Sequence, residues 1–143
     1  MNKELSVFSS IDIAAGPEQV WDALVNPETI KSYLFGTETI TDWQPGSPII
    51  FQGEYQGQAY RDKGTIVQCR ANEILSYSYW SGFSGMEDLP ENYALVEFHL
   101  KPADGHITLE LKQTGFINEQ AQQHSVAAWK QILEALKSLV EAS

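Results

Sequence analysis

The chain has 143 residues, 43% of them hydrophobic and 20% charged, with a formal net charge of -10 and a pI near 4.6. That size fits a single domain over residues 1–143 with a sizeable core, and the acidity argues against nucleic acid or an anionic membrane as a partner. One cysteine, Cys69, leaves no internal disulfide and no cysteine-based zinc site; no long apolar run opens the chain, so we expect neither a signal peptide nor membrane insertion, and a cytoplasmic setting.

Leu5, Val7, Ile11 and Ile13 alternate with Ser10 and Asp12, which reads as a first strand with one buried face. Gly16-Pro17 ends it, and Pro17 suits the first turn of a helix, where its missing N–H has no partner to lose. Val20, Trp21 and Leu24 give a short amphipathic helix. Asn26-Pro27 breaks it, and Glu28 to Leu34 reads as a second, with Ile30, Tyr33 and Leu34 inward. Helices this short need packing to hold them.

From Thr37 to Gly115 the pattern is strand after strand. Thr37 to Thr41 is short and β-branched. After the Pro45-Gly46 turn, Ile49, Phe51 and Tyr55 share one parity with Gly53 between them. Gln56-Gly57 turns the chain into Tyr60 to Cys69, which carries Ile66 and Val67, and Ala71-Asn72 closes that strand. Leu75, Tyr77 and Tyr79 oppose Ser76 and Ser78. Ser81 to Asn92 has no periodicity and reads as a loop, with Phe83 and Met86 available to cap a pocket or fold back on its rim. Val96, Phe98 and Leu100 face one way, and Glu97, His99 and Lys101 the other. Asp104-Gly105 is a hairpin turn, answered by Ile107, Leu109 and Leu111 against Thr108, Glu110 and Lys112.

The C-terminal stretch reads as a long helix, Glu119 to Ala142, roughly 36 Å in length, with Asn118 as N-cap. Val126, Trp129, Leu133, Leu136 and Val140 form its apolar stripe, widened by Ile132 and Leu139. Lys130, Gln131, Glu134, Lys137 and Glu141 take the other side, which should be wet. Gln120, Gln122, Gln123 and His124 leave the first third without a stripe, so it is expected to bound a pocket mouth or lie in solvent. The fold class is therefore α+β, in the order β-α-α-β-β-β-β-β-β-α. Strands joined by short turns make an antiparallel meander, and a curved antiparallel sheet around the long C-terminal helix buries both apolar faces.

The chemistry-bearing residues point away from catalysis. His99 falls on the polar parity of its strand and His106 beside a turn, both surface positions; His124 is either exposed or at a cavity mouth. No metal spacing, nucleophile motif or phosphate loop is present, so we expect no catalytic residue, no metal and no cofactor. The aromatic residues are more informative. Phe51, Tyr55, Tyr77, Tyr79, Phe98 and Trp129 all take the inward parity. A buried phenol needs a hydrogen-bond partner, which makes a row of inward tyrosines costly in a dry core and natural in a partly polar pocket. Gln113 continues the parity of Leu109 and Leu111 and adds an amide. The expected ligand-binding set is Phe51, Tyr55, Tyr77, Tyr79, Phe98, Leu111, Gln113 and Trp129, around a small hydrophobic molecule.

The order of Val20, Trp21, Leu24, Pro27 and Ile30, then Gly64, Thr65 and Ile66, then Leu75, Tyr77 and Tyr79, then Thr114, Gly115 and Phe116, and finally His124, Trp129, Leu133 and Leu136, resembles the START-like (SRPBCC) superfamily. Within it, the chain is similar to the branch of the activator of heat-shock-protein-90 ATPase homologue. The resemblance implies the helix-grip fold and a cavity that in relatives takes lipids, sterols, polyketides or other hydrophobic molecules. Tyr33 and Tyr79 stand where relatives of this branch often carry tryptophan, and Ser47 where they often carry glycine. The resemblance also opens two alternatives: a protein-interaction module of co-chaperone-like kind with a protein partner, and a START-like cyclase or hydratase working through Tyr or His.

Overall fold

The computed structural model describes residues 1–142 of the chain. Strand β1 (Asn2–Ile13) leads into α1 (Pro17–Val25) and α2 (Pro27–Tyr33). Strands β2 (Glu38–Ile40), β3 (Pro48–Tyr55), β4 (Gln58–Arg70), β5 (Ile74–Tyr79), β6 (Ala94–Ala103) and β7 (His106–Phe116) follow, and α3 (Glu119–Glu141) ends the chain. This is the expected element order. The predicted loop between β5 and β6 contains two 3-10 turns, Gly82–Ser84 and Pro90–Asn92.

The helix starts are fixed by local chemistry. The Gly16 N–H donates to Gln19 Oε1 at 3.0 Å, Asn26 Oδ1 accepts from the Glu28 N–H at 3.1 Å, and Asn118 Oδ1 accepts from the Ala121 N–H at 2.9 Å. Each occupies an amide that the helix cannot pair internally. Asn118 is the N-cap the sequence suggests.

All seven strands form one antiparallel sheet in the order β1-β7-β6-β5-β4-β3-β2. The register lays side chains in rows across its concave face. One row runs Val7, Gln113, Val96, Tyr77 and Ile66; the next runs Ser9, Leu111, Phe98 and Leu75. Strand β4 makes the curvature possible, because it serves two partners in succession. Its residues 58–65 pair with β3 and its residues 66–70 with β5. The ladder shifts between Ile66 and Gln68, which throws Val67 outward, where it is about half exposed. A bulge of this kind bends and twists a strand.

Helix α3 lies across the concave face, packed along β1 and against α1 and α2. Ile132, Leu133, Leu136 and Val140 are buried with Leu109, Leu111, Ile13, Val20 and Leu24. The stripe is rotated relative to the expectation. Val126 is 51% exposed and Leu139 sits at the surface, because the inward line runs Ser125, Trp129, Ile132 and Leu133, Leu136, Val140. One residue is ~100° around a helix of 3.6 residues per turn, so with Ser125 inward, Val126 faces water. The supposedly wet face is also partly engaged. Lys137 donates to the Asp12 carbonyl and pairs with Glu141 at 3.1 Å, while Glu141 Oε2 accepts from the Ala14 N–H at 2.8 Å. These two charges fasten the end of α3 to the end of β1.

Candidate functional site

A cavity of about 430 Å³ opens between the concave face and the middle of α3. Its walls are Phe51, Tyr60, Asp62, Tyr77, Tyr79, Val96 and Gln113 from the sheet, and Ser125, Trp129 and Ile132 from the helix. Leu34 and Phe35 after α2, Tyr55 at the end of β3, and Ser81 and Phe83 after β5 form the mouth. The helix packs closely on the β1 side and stands off from β3 and β4, which leaves the space open.

The apolar part of the wall is a chain of rings. Phe51 lies 5.5 Å from Tyr77 and 5.9 Å from Tyr79 between centroids, and Tyr60 lies 6.0 Å from Phe83. Such tilted and edge-on contacts suit the ring quadrupoles. The polar part is arranged in three bonded groups. Tyr79 donates to Asp62 Oδ2 at 2.5 Å, the Thr37 and Tyr60 hydroxyls meet at 2.5 Å, and the Trp129 indole donates to Gln113 Oε1 at 2.7 Å. Asp62 itself is 8% exposed, and its Oδ1 is buried with no hydrogen-bond partner among the described residues.

Beneath the cavity lies a much smaller void of about 40 Å³, bounded by Leu24, Ile30, Tyr33, Trp43, Phe98 and Leu136. Phe51, Tyr77, Trp129 and Ile132 border both spaces. Tyr33 closes the void's outer side, its hydroxyl donating to the Ala23 carbonyl at 2.7 Å.

Six of the eight expected site residues, Phe51, Tyr55, Tyr77, Tyr79, Gln113 and Trp129, border the cavity. Tyr55 does so at the rim, 60% exposed, because the β3–β4 hairpin runs beyond the reach of the helix. The other two lie elsewhere. Phe98 borders the inner void, with its ring edge-on to Trp129 at 5.8 Å. Leu111 has no exposed surface and lies in the core, one row deeper than Gln113. In the first third of α3, Ser125 borders the cavity, Gln122 donates to the Ser6 carbonyl on β1 at 2.8 Å, and His124 is exposed.

The residues that sequence reasoning missed include Thr37, Tyr60, Asp62, Val96, Ser125 and Ile132 in the wall and Leu34 and Phe35 at the mouth. A signal existed for Asp62. Tyr60, Asp62, Gly64 and Ile66 share one parity of β4, and a carboxylate on the buried parity of a strand demands a reason. Among the described residues no cluster of His, Cys, Asp and Glu could hold a metal ion.

Burial holds the phenols of Tyr33, Tyr77 and Tyr79 well above the ordinary value, and the neighbouring Asp62 carboxylate pushes Tyr79 further the same way. A raised folded-state value gives stability that is full below the unfolded phenol value, ~10, and is lost as pH rises from there through the raised folded-state values. Alkaline titration followed by ultraviolet absorbance should therefore show a late class of phenols ionising together with loss of the circular-dichroism signal. Complete ionisation of all six tyrosines in a still-folded protein would contradict this.

With the geometry in hand, the chain can be set beside known proteins. The profile of the family described as activator of Hsp90 ATPase homolog 1-like protein matches residues 14–141. The solution structure of ChR145 from Cytophaga hutchinsonii is 44% identical, with a TM-score of 0.84 over 99% of this chain and 97% of that one. CalU16 from Micromonospora echinospora is 21% identical, with a TM-score of 0.75 over 94% of this chain and 75% of its own. The Aha1 dimer from Colwellia psychrerythraea is 16% identical, with a TM-score of 0.75 over 95% and 96% of the two chains. The latter two show a common fold alone. Among curated proteins there is no match.

Proposed function

The chain belongs to the family of activator of Hsp90 ATPase homolog 1-like proteins, and within that family we propose that it binds a small, largely hydrophobic molecule between sheet and helix, without covalent catalysis. The observation that carries this reading is the cavity itself. At about 430 Å³, walled by aromatic rings with a few converging polar groups, it has the size and composition of a small-molecule site. A core built only for stability would fill such a space, since protein interiors are packed like organic crystals. The helix instead presents Ser125 where its periodicity allowed a large apolar side chain.

The test is occupancy. Protein purified from its own source and sprayed under native conditions should carry a co-purified small molecule, and Ser125→Phe, which places a ring in the cavity, should release it. Retention of the same adduct by Ser125→Phe would place the ligand elsewhere. A protein partner captured equally by both forms, with no adduct on either, would favour the co-chaperone-like reading that the family description suggests.

A further inference from the structure

We propose that the cavity selects an amphiphile with a protonated amine at its polar end, seated on Asp62 and the rings around it. This rests on the ligand-binding reading above and adds the charge of the ligand.

Three observations support it. The first is the state of Asp62. Its side chain borders the cavity, is more than nine-tenths buried, and has one oxygen bonded to Tyr79 and the other to nothing among the described residues. The Tyr79 phenol, held protonated by burial, donates its only hydrogen to Oδ2, and Oδ1, enclosed by protein, has no donor among the described residues. A buried carboxylate is costly unless it is both paired and hydrogen-bonded. Here the protein supplies one bond and no counter-charge.

The second is the absence of any cation to do that pairing. The residues around the cavity include Asp62 and Glu54 and no Lys, Arg or His. Lys63, next in sequence to Asp62, belongs to the other parity of β4. It pairs with Asp88 at 2.5 Å and sits 5.8 Å from the centre of the Trp80 ring. A ligand carboxylate or phosphate would therefore enter a cavity of its own sign with nothing to receive it.

The third is the company Asp62 keeps. Phe51 lies directly opposite it on β3, and the Phe51 ring sits against those of Tyr77 and Tyr79. Aromatic faces attract cations, most strongly where water is excluded. A carboxylate without a counter-charge beside clustered rings thus offers an ammonium group both the attraction of its negative charge and ring faces, while the rest of the cavity takes an apolar chain. A neutral hydroxyl would leave that charge unpaired.

The experiment compares n-decylamine, n-decanol and decanoate by titration calorimetry near neutral pH, where the first is cationic and the last anionic. The amine should bind at least about tenfold more tightly than the alcohol, and decanoate most weakly. Asp62→Asn should bring the amine within about twofold of the alcohol, both measured on that variant. Decanoate binding as well as the amine, or Asp62→Asn keeping the amine's advantage, would overturn the proposal. Alcohol binding with no preference for the amine overturns this inference alone; failure of all three probes to bind the folded protein overturns the cavity reading and this inference with it. If Asp62→Asn does not fold, the ranking of the three probes on the unaltered chain decides.

Discussion

Gly64→Ala should leave the protein unable to hold its native sheet, at a cost of at least about 3 kcal/mol. A Cβ at this position would sit 1.6 Å from the Ser78 carbonyl oxygen and 2.5 Å from its carbon. Those are backbone atoms of β5, with no rotamer to give way. The φ of Gly64 lies outside the left-handed range, so the need for glycine comes from space and owes nothing to dihedral freedom. The position explains the crowding. Gly64 lies at the end of the segment of β4 that pairs with β3, just before the segment that pairs with β5, and here β5 crosses close over it. The Thr65 N–H donates to Ser78 Oγ at 2.9 Å and Lys63 bridges to Trp80 on either side of the contact. Adding one methyl must push the two strands apart at the bend of the sheet. Urea unfolding of Gly64→Ala, compared with the neighbouring Thr65→Ala, measures this. A loss below about 1 kcal/mol would show that the bend yields easily and that its closeness does not define the fold. Because Tyr79 and Asp62 flank the bend, any surviving Gly64→Ala protein should also have lost the Tyr79–Asp62 bond.

Trp129→Ala should destabilise the protein by roughly 3 kcal/mol and join the two internal spaces into one. The indole borders both the cavity of about 430 Å³ and the void of about 40 Å³ beneath it. Its ring packs at a steep angle to that of Phe98, 5.8 Å apart between centroids, and its N–H is bonded to Gln113 Oε1 at 2.7 Å. Truncation removes the partition, leaves the neighbouring rings without contacts, and deprives the Gln113 amide of its main partner, since Ser125 Oγ stands at 3.5 Å. Trp129→Phe separates the contributions. It keeps most of the partition and loses the hydrogen bond, for a cost of about 1 kcal/mol. Denaturant midpoints with unchanged slopes report the stability terms, and the affinity of a longer-chain probe relative to n-decanol reports the enlarged space. If Trp129→Ala shifts neither, the indole is only a lid on the mouth. The structure places it as both core and wall: it packs against Phe98 and borders the cavity.

Much of the fold was legible because the signals are local. Alternation in Val96, Phe98 and Leu100 answered by Ile107, Leu109 and Leu111 fixes one hairpin and its buried face. The Asn118 cap and the Leu133, Leu136 and Val140 spacing fix the last helix and its direction of burial. Parity also put Phe51, Tyr77, Tyr79 and Gln113 on the inner face, and they line one cavity. Parity alone could not say how deep along the strand the cavity ends. Gln113 and Leu111 share a face, yet only the first borders open space, because the helix closes down over the next row.

The same limit explains Val126 and Asp62. The helical stripe admits a rotation of one residue with little change in its apolar count. Which way α3 turns is decided by the sheet it rests on, and with it whether Ser125 or Val126 looks inward. For Asp62, composition marks a charge as an outside residue, and only the bend of β4 brings it under Tyr79 and out of water. The sequence by itself thus determined the elements, their order and the buried face of nearly every strand, since each depends on neighbours within a few residues. The tertiary structure alone decided the cavity's depth, its mouth and its unpaired carboxylate, because these depend on the curvature of the sheet and the stand-off of the helix, set by contacts between residues far apart in the chain.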